Sequence, residues 1–130
     1  GYGSEEFFKR TAGFGDRLER IEINSQKFLP TKQAEWRERF DIVLVDADHS
    51  GSAAAKDLYW GWKFTKRGGS MLVDDVFHKS NWQATEKGGD PYKFGVSRAL
   101  WSFLEDFREE IKPHVILHIA SYGLVEIIKA

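Results

Sequence analysis

The sequence predicts an α/β fold, built on a mostly parallel sheet that ends in an antiparallel hairpin. Apolar, β-branched runs at 42–45 and 70–73 flank one helix-length segment, which is the order of a parallel strand–helix–strand unit. Residues 114–120 and 124–128 have the pattern of two strands joined by a hairpin-length connection. A chain of 130 residues suffices for one modest core, so we expect a single domain over residues 1–130.

The first part of the chain predicts a short helix and then a strand. Ser4 can cap a helix with acids in its first turn, and the glycines of residues 13–16 end it. Residues 18–23 alternate partly between apolar and charged side chains, which predicts a strand ending at Asn24-Ser25. The polar stretch that follows predicts a loop with a short helix around Trp36.

The middle of the chain has the strongest patterns. The apolar run at 40–45 favours a central parallel strand covered on both faces. Ala54, Leu58 and Trp62 recur at intervals of four and predict a helix that the glycines at 68–69 close.

The second half predicts an irregular segment followed by a long helix. Residues 77–93 lack periodicity, and we interpret them as an active-site lid, with a plain surface excursion as the alternative. Apolar side chains from Val96 to Ile111 trace one face of an amphipathic helix that Pro113 ends.

Carboxylates follow both predicted parallel strands. Residues 46–49 (Asp-Ala-Asp-His) come directly after the first strand, and Asp74-Asp75 come directly after the second. The carboxyl ends of neighbouring parallel strands face one crevice, so these acids should converge there. Converging carboxylates repel one another unless a cation lies among them, and oxygen ligands favour Mg²⁺, Mn²⁺ or Ca²⁺ over zinc. The pattern therefore predicts a metal-assisted active site.

Composition excludes several classes of function. The chain has 19 basic and 20 acidic residues without a polybasic tract, so we expect no nucleic acid partner and no attachment to a membrane. Cysteine is absent, which excludes disulfides and thiolate metal sites and fits a cytoplasmic protein.

Two motifs resemble those of class I S-adenosylmethionine-dependent methyltransferases. Residues 40–50 (FDIVLVDADHS) resemble the fourth-strand motif of the metal-dependent O-methyltransferases, and residues 66–75 are similar to their Pro-Gly-Gly turn and fifth strand, with Arg67 in place of proline. The most similar patterns are the catechol, caffeoyl-coenzyme-A and macrocin types. The resemblance covers roughly residues 4–130. It implies a partial Rossmann-like methyltransferase sheet, the C-terminal two-thirds of that fold.

The resemblance also implies a catalytic role for each acid. Asp46, Asp74 and Asp75 match the positions of the metal ligands, and the metal would be Mg²⁺ or, alternatively, Mn²⁺ or Ca²⁺. Asp48 matches the general base of the sugar-modifying relatives, and His49 is a second candidate for accepting the proton. The substrate would be a small molecule with a hydroxyl group. A structural alternative is that Asp48 only caps the following helix.

For the cofactor, S-adenosylmethionine, the resemblance implies contacts from Asn24, Ser25 and Asp46, with Asn24-Ser25 lying where such enzymes contact adenine. The family's glycine-rich turn is not visible, because the glycines at 1–3 and 13–15 lack the strand-to-helix context that it requires. We therefore expect a fragment without the first half of the cofactor site, in which methyl transfer is impaired and the exposed sheet edge favours homo-oligomers.

Two other classes of function stay open. One is a non-catalytic α/β module derived from a methyltransferase. The other is a phospho-acceptor receiver-like domain, which also places an acid pair and an aspartate around Mg²⁺, although there the acid pair precedes the aspartate in sequence.

Overall fold

A four-stranded sheet organises the computed structural model, which describes residues 2–46, 51–76, 95–118 and 123–130. Short 3-10 helices lie at 12–17, 29–32 and 108–110. The helices and strands of these residues are α1 (Tyr2–Thr11), α2 (Ser25–Phe28), β1 (Phe40–Val45), α3 (Gly51–Phe64), β2 (Thr65–Val73), α4 (Val96–Asp106), β3 (Ile116–His118) and β4 (Leu124–Ile128).

The sheet has the order β1-β2-β4-β3, which combines one parallel pair with two antiparallel pairs. β1 and β2 run parallel, with Val45 opposite Val73, and β4 runs antiparallel to β2, with Val125 opposite Val73. β3 pairs antiparallel with β4. The α/β class and the antiparallel pair near the end of the chain are confirmed.

The core lies between one face of the sheet and the helices α3 and α4. Leu58 and Trp62 of α3 and Met71 and Ile127 of the sheet are fully buried, and Phe103 of α4 packs edge-on against Trp62. Complete burial of side chains of this size stabilises the fold by roughly 2–3 kcal/mol each.

Gly61 allows α3 to lie close to the sheet. A Cβ atom at this position would lie 3.1 Å from both Met71 Sδ and Val45 Cγ2, so a larger residue would push the helix outward. This close approach holds α3 over the end of β1, where the first acid follows.

The prediction of a central β1 is wrong for the part of the chain that the structure describes. β1 is an edge strand, and only alternate residues face the helices: Val43 and Val45 pack against the core, whereas Ile42 and Leu44 are 66% and 58% exposed. An apolar run in the sequence does not distinguish a central strand, covered on both faces, from an edge strand with one exposed face.

The predicted strand at 18–23 is also absent. These residues have no regular structure, and Leu18 and Ile23 are exposed. A strand requires a partner for its backbone groups, and the described sheet offers them none. The predicted short helix near Trp36 lies earlier, at 25–32, where Asn24 caps its first turn.

The remaining elements agree with the sequence apart from their bounds. α1 begins at Tyr2, so Ser4 lies inside the helix rather than before it. The long helix ends at Asp106 and continues as a 3-10 turn over 108–110. The lid predicted at 77–93 lies outside the described residues. Within the described ranges, no helix is both long and apolar enough to cross a membrane.

A buried lysine that directly follows β4 connects this strand to α3 by a hydrogen bond. Lys129 is 5% exposed, and its Nζ donates hydrogen bonds to the carbonyl oxygens of Trp62 (2.9 Å) and Thr65 (3.0 Å). The same Nζ lies 3.6 Å from a carboxylate oxygen of Glu38 and 5.2 Å from the centre of the Trp62 ring. These contacts replace the water that the ammonium group loses on burial.

Candidate metal and cofactor site

The three acids that were predicted as metal ligands lie together. Asp46 follows β1, and Asp74 and Asp75 follow β2, which ends level with β1. One carboxylate oxygen of each residue lies within 4.8 Å of the other two. Asp46 is exposed, and the other two acids are half-buried. The cluster thus stands at the carboxyl ends of a parallel pair, where an open α/β sheet binds its ligands.

Backbone geometry explains why two consecutive acids can face one point. Asp75 has a φ of 58°, in the left-handed region that side-chain-bearing residues seldom adopt. Its amide donates a hydrogen bond of 2.9 Å to Asp74 Oδ1, and the next amide, of Val76, donates to Gly123 O (3.2 Å). In an extended strand neighbouring side chains would point to opposite sides, and this turn removes that alternation.

The chemistry of the cluster suits a hard divalent cation. Oxygen ligands lie 2.0–2.1 Å from Mg²⁺ and 2.3–2.6 Å from Ca²⁺, so oxygens on opposite sides of one ion are about 4–5 Å apart. All the separations within the cluster are at most 4.8 Å, so one ion can contact all three side chains. Three carboxylates would supply the negative charge that such an ion requires.

A groove of about 320 Å³ adjoins the cluster, between the outer edge of β1, α2 and α3. Its polar lining comes from Ser25, Asp46 and Asp57, and Asp46 belongs to both the groove and the acid cluster. A ligand in the groove can therefore reach the acids. The apolar lining consists of Leu29, Trp36, Phe40, Ile42, Val43, Leu44, Val45, Gly61 and Phe64.

Of the two residues predicted to contact adenine, one lines the groove and the other caps α2. Ser25 lines the groove with Asp46, as a shared cofactor site requires. Asn24 caps α2, since its Oδ1 accepts a hydrogen bond of 2.9 Å from the amide of Gln26. Asp48 and His49, the candidates for proton transfer, lie outside the described residues.

Sequence reasoning missed Asp57. This acid of α3 is 6% exposed, and its Oδ1 accepts a hydrogen bond of 2.8 Å from the hydroxyl of Ser25. Its position beside Leu58, on a helix whose buried residues are otherwise mostly apolar, could have indicated a buried acid. The sequence could not indicate its partner, which lies in a different element.

A second serine–carboxylate pair lies on the face of the sheet opposite the core. Ser70 Oγ donates a hydrogen bond of 2.7 Å to Glu126 Oε2, and His118 Nε2 lies 3.2 Å from Glu126 Oε1. The hydroxyl of Ser70 and then His118 hold the pKa of Glu126 below its ordinary value. The serine hydroxyl bonds to the carboxylate, so the histidine is not placed to activate it as a nucleophile.

A family model described as a methyltransferase domain matches residues 2–76 of the chain, more than half of its length. The match includes the acid cluster, Ser25 and Asp57. No curated protein sequence matches the chain.

Several solved structures have the same fold. The chain is similar to the O-methyltransferase from Bacillus cereus in complex with SAH (19% identity, TM-score 0.63, 97% of this chain and 56% of that one). It is also similar to the SAH-bound methyltransferase PaMTH1 from Podospora anserina (25% identity, TM-score 0.61, 99% and 56%). A third is the MycE methyltransferase of the mycinamycin pathway, in complex with Mg, SAH and mycinamycin VI (22% identity, TM-score 0.55, 87% and 32%). The chain spans about half the length of the first two structures and a third of MycE.

Proposed function

Because the chain belongs to the methyltransferase domain family, we propose that it takes part in S-adenosylmethionine-dependent methyl transfer to a hydroxyl oxygen of a small molecule, with the help of a divalent metal. The observation that carries the proposal is the convergence of Asp46, Asp74 and Asp75 at the ends of two parallel strands. Asp46 joins this cluster to the groove, so one residue borders both ligands that the reaction needs.

In the transfer, the bond between the sulfonium sulfur and the methyl carbon breaks as the hydroxyl oxygen bonds to that carbon. The hydroxyl proton must leave, and Asp48 or His49 would accept it if either lies within hydrogen-bond reach. Asp46, Asp74 and Asp75 would hold Mg²⁺, which lowers the pKa of a bound hydroxyl. The apolar groove wall would exclude water from the cofactor.

Ligands of the similar structures support this proposal. The Bacillus and Podospora enzymes were solved with SAH, the product left by the cofactor, and MycE was solved with Mg and SAH. The acid cluster of this chain offers oxygen ligands of the kind that Mg²⁺ prefers. We propose Mg²⁺ as the metal, with Mn²⁺ or Ca²⁺ as substitutes.

Calorimetric titration of the 130-residue chain with Mg²⁺ and SAH tests the proposal. We expect Mg²⁺ to bind. We expect SAH to bind weakly, because no strand of the described sheet lies beyond β1 and the groove is therefore open on that side. Asp46→Asn should weaken Mg²⁺ binding, whereas Asp41→Asn, which removes an exposed carboxylate earlier on the same strand, should not. Absence of heat with both ligands at millimolar concentration would contradict the proposal.

A non-catalytic module is the second candidate, favoured by the exposure of Ile42 and Leu44 beside the groove. In that case the acids would be crowded without a ligand, and Asp46→Asn would stabilise the fold by relieving repulsion. The receiver-like alternative has no support, because the matched family is a methyltransferase domain and the fold has the antiparallel β3–β4 pair.

A further inference from the structure

Asp57 is a buried carboxylate in a largely apolar part of α3. It is 6% exposed, next to the fully buried Leu58 and one turn after the buried Ala53. Burial of a carboxylate is unfavourable unless hydrogen bonds replace the lost water, and an aliphatic residue would pack here at lower cost. The presence of an acid is therefore explained by polar partners and not by packing.

One such partner is the hydroxyl of Ser25, the first residue of α2 and 32 positions earlier in the chain. Among the described residues, the other hydrogen bonds at the start of α2 are local: Asn24 accepts them from Gln26, Lys27 and Phe28. The bond between Ser25 and Asp57 thus links α2 to α3 in the wall of the groove.

The same two side chains line the groove together with Asp46. A ligand that fills the groove and reaches Asp46 must lie against the start of α2. If α2 moves by an ångström, the groove changes shape, whereas the acid cluster, which β1 and β2 hold, does not. Misplacement on this scale is sufficient to weaken recognition substantially.

We propose that Asp57 is a positioning residue for the cofactor: through the Ser25 hydroxyl it fixes α2 at the groove, and loss of this bond weakens cofactor binding without disturbing the metal cluster. This rests on the proposed function, because the ligand in question is S-adenosylmethionine or its product SAH. The role is separate from that of Asp46, Asp74 and Asp75, since Asp57 is not part of their cluster.

The test compares two affinities of the full chain. Calorimetry measures its affinity for SAH, and electron paramagnetic resonance measures its affinity for Mn²⁺. Ser25→Ala and Asp57→Ala should each weaken SAH binding about tenfold, the effect of losing a hydrogen bond to a charged group. Mn²⁺ affinity should change less than about twofold, because the metal cluster is independent of this bond. Ser25→Thr and Asp57→Asn keep a donor and an acceptor and should restore SAH binding.

Ser70→Ala is the matched control, because it removes another serine–carboxylate hydrogen bond, to Glu126, outside the groove. This variant should bind SAH as tightly as the wild-type chain does. The double variant with Ser25→Ala and Asp57→Ala should bind SAH no more weakly than either single variant, because both changes remove the same hydrogen bond. If Asp57→Ala does not fold, Asp57→Leu replaces it, because leucine fills the buried site without an acceptor; Ser25→Ala alone would not decide, since Ser25 itself lines the groove.

Wild-type SAH affinity in both alanine variants, or a parallel loss of Mn²⁺ affinity, would overturn the inference and leave the proposed function standing. No SAH binding by the wild-type chain would overturn the inference, and the proposed function would fall with it only if Mg²⁺ did not bind either.

Discussion

The amide of Asp74 donates a hydrogen bond of 3.1 Å to the carbonyl oxygen of Val45, and this bond joins the ends of β1 and β2. It extends the parallel ladder by one residue beyond the pairing of Val45 with Val73. Asp74 and Asp46, the residue after Val45, are therefore held side by side by the backbone of the sheet.

Mg²⁺ should stabilise the fold through this cluster. At a concentration of 100 times the dissociation constant, a ligand of the folded state adds about 2.7 kcal/mol to the free energy of unfolding. We expect Mg²⁺ to raise the melting temperature of the wild-type chain and to have no effect on Asp74→Asn, as measured by differential scanning fluorimetry. Asp41→Asn, a change of the same charge away from the cluster, should keep the response. A magnesium response retained by Asp74→Asn would exclude this residue as a ligand.

Asp75 should show a conflict between stability and metal binding. Its φ of 58° is easier for glycine than for residues with a Cβ. Asp75→Gly should therefore raise the free energy of unfolding without metal, by about 1 kcal/mol, while it weakens Mn²⁺ binding. Asp75→Ala should weaken Mn²⁺ binding equally without this stabilisation. Urea unfolding and metal titration measure the two effects, and equal stability of the glycine and alanine variants would contradict the argument from backbone strain.

Lys129 should make stability depend on alkaline pH. Burial lowers the pKa of Lys129 below its ordinary value of 10.5, although Glu38 and Glu110 act in the opposite direction. The unfolded chain then binds this proton more tightly than the folded chain does, so the free energy of unfolding should rise as pH increases from the folded-state pKa towards 10.5. Urea unfolding across this range should show the rise in the wild-type chain.

Lys129→Met should lose that rise and, near pH 7, should be less stable by about 2 kcal/mol, because the carbonyl oxygens of Trp62 and Thr65 lose their donor. Lys66→Met is the control, since Lys66 is an exposed lysine of β2 and should leave the pH profile unchanged. An identical profile in Lys129→Met would show that other groups cause the pH dependence.

We propose that the chain self-associates through the outer edge of β1. Ile42 and Leu44 are exposed there, and an unprotected apolar edge strand favours pairing with another strand. Light scattering should show association that Ile42→Lys reduces and Trp101→Lys, a matched change of an exposed residue on α4, does not. Because the chain has no cysteine, Ile42→Cys would report pairing of two copies by disulfide formation. A strictly monomeric chain at high concentration would refute the proposal.

The sequence predicts those features that depend on residues close to one another along the chain. β1 and β2 were predicted from apolar runs and α3 from apolar periodicity, and the convergence of the acids after the strands followed from the geometry of parallel sheets. Features set by distant partners were missed. Whether residues 40–45 are central or at an edge depends on strands elsewhere, and the strand predicted at 18–23 lacks a pairing partner among the described residues. Asp57 was missed for the same reason, since its partner lies 32 positions away.

β4 lies between β2 and β3, although it is the last of the four strands along the chain. During translation at about 5–20 residues per second, β2 is complete roughly 3–10 seconds before the residues that pair with it leave the ribosome. Through that interval β2 can pair with β1, but its other edge lacks the strand β4. The order of the strands therefore leaves one edge of β2 open to incorrect pairing until the last strand has been synthesised.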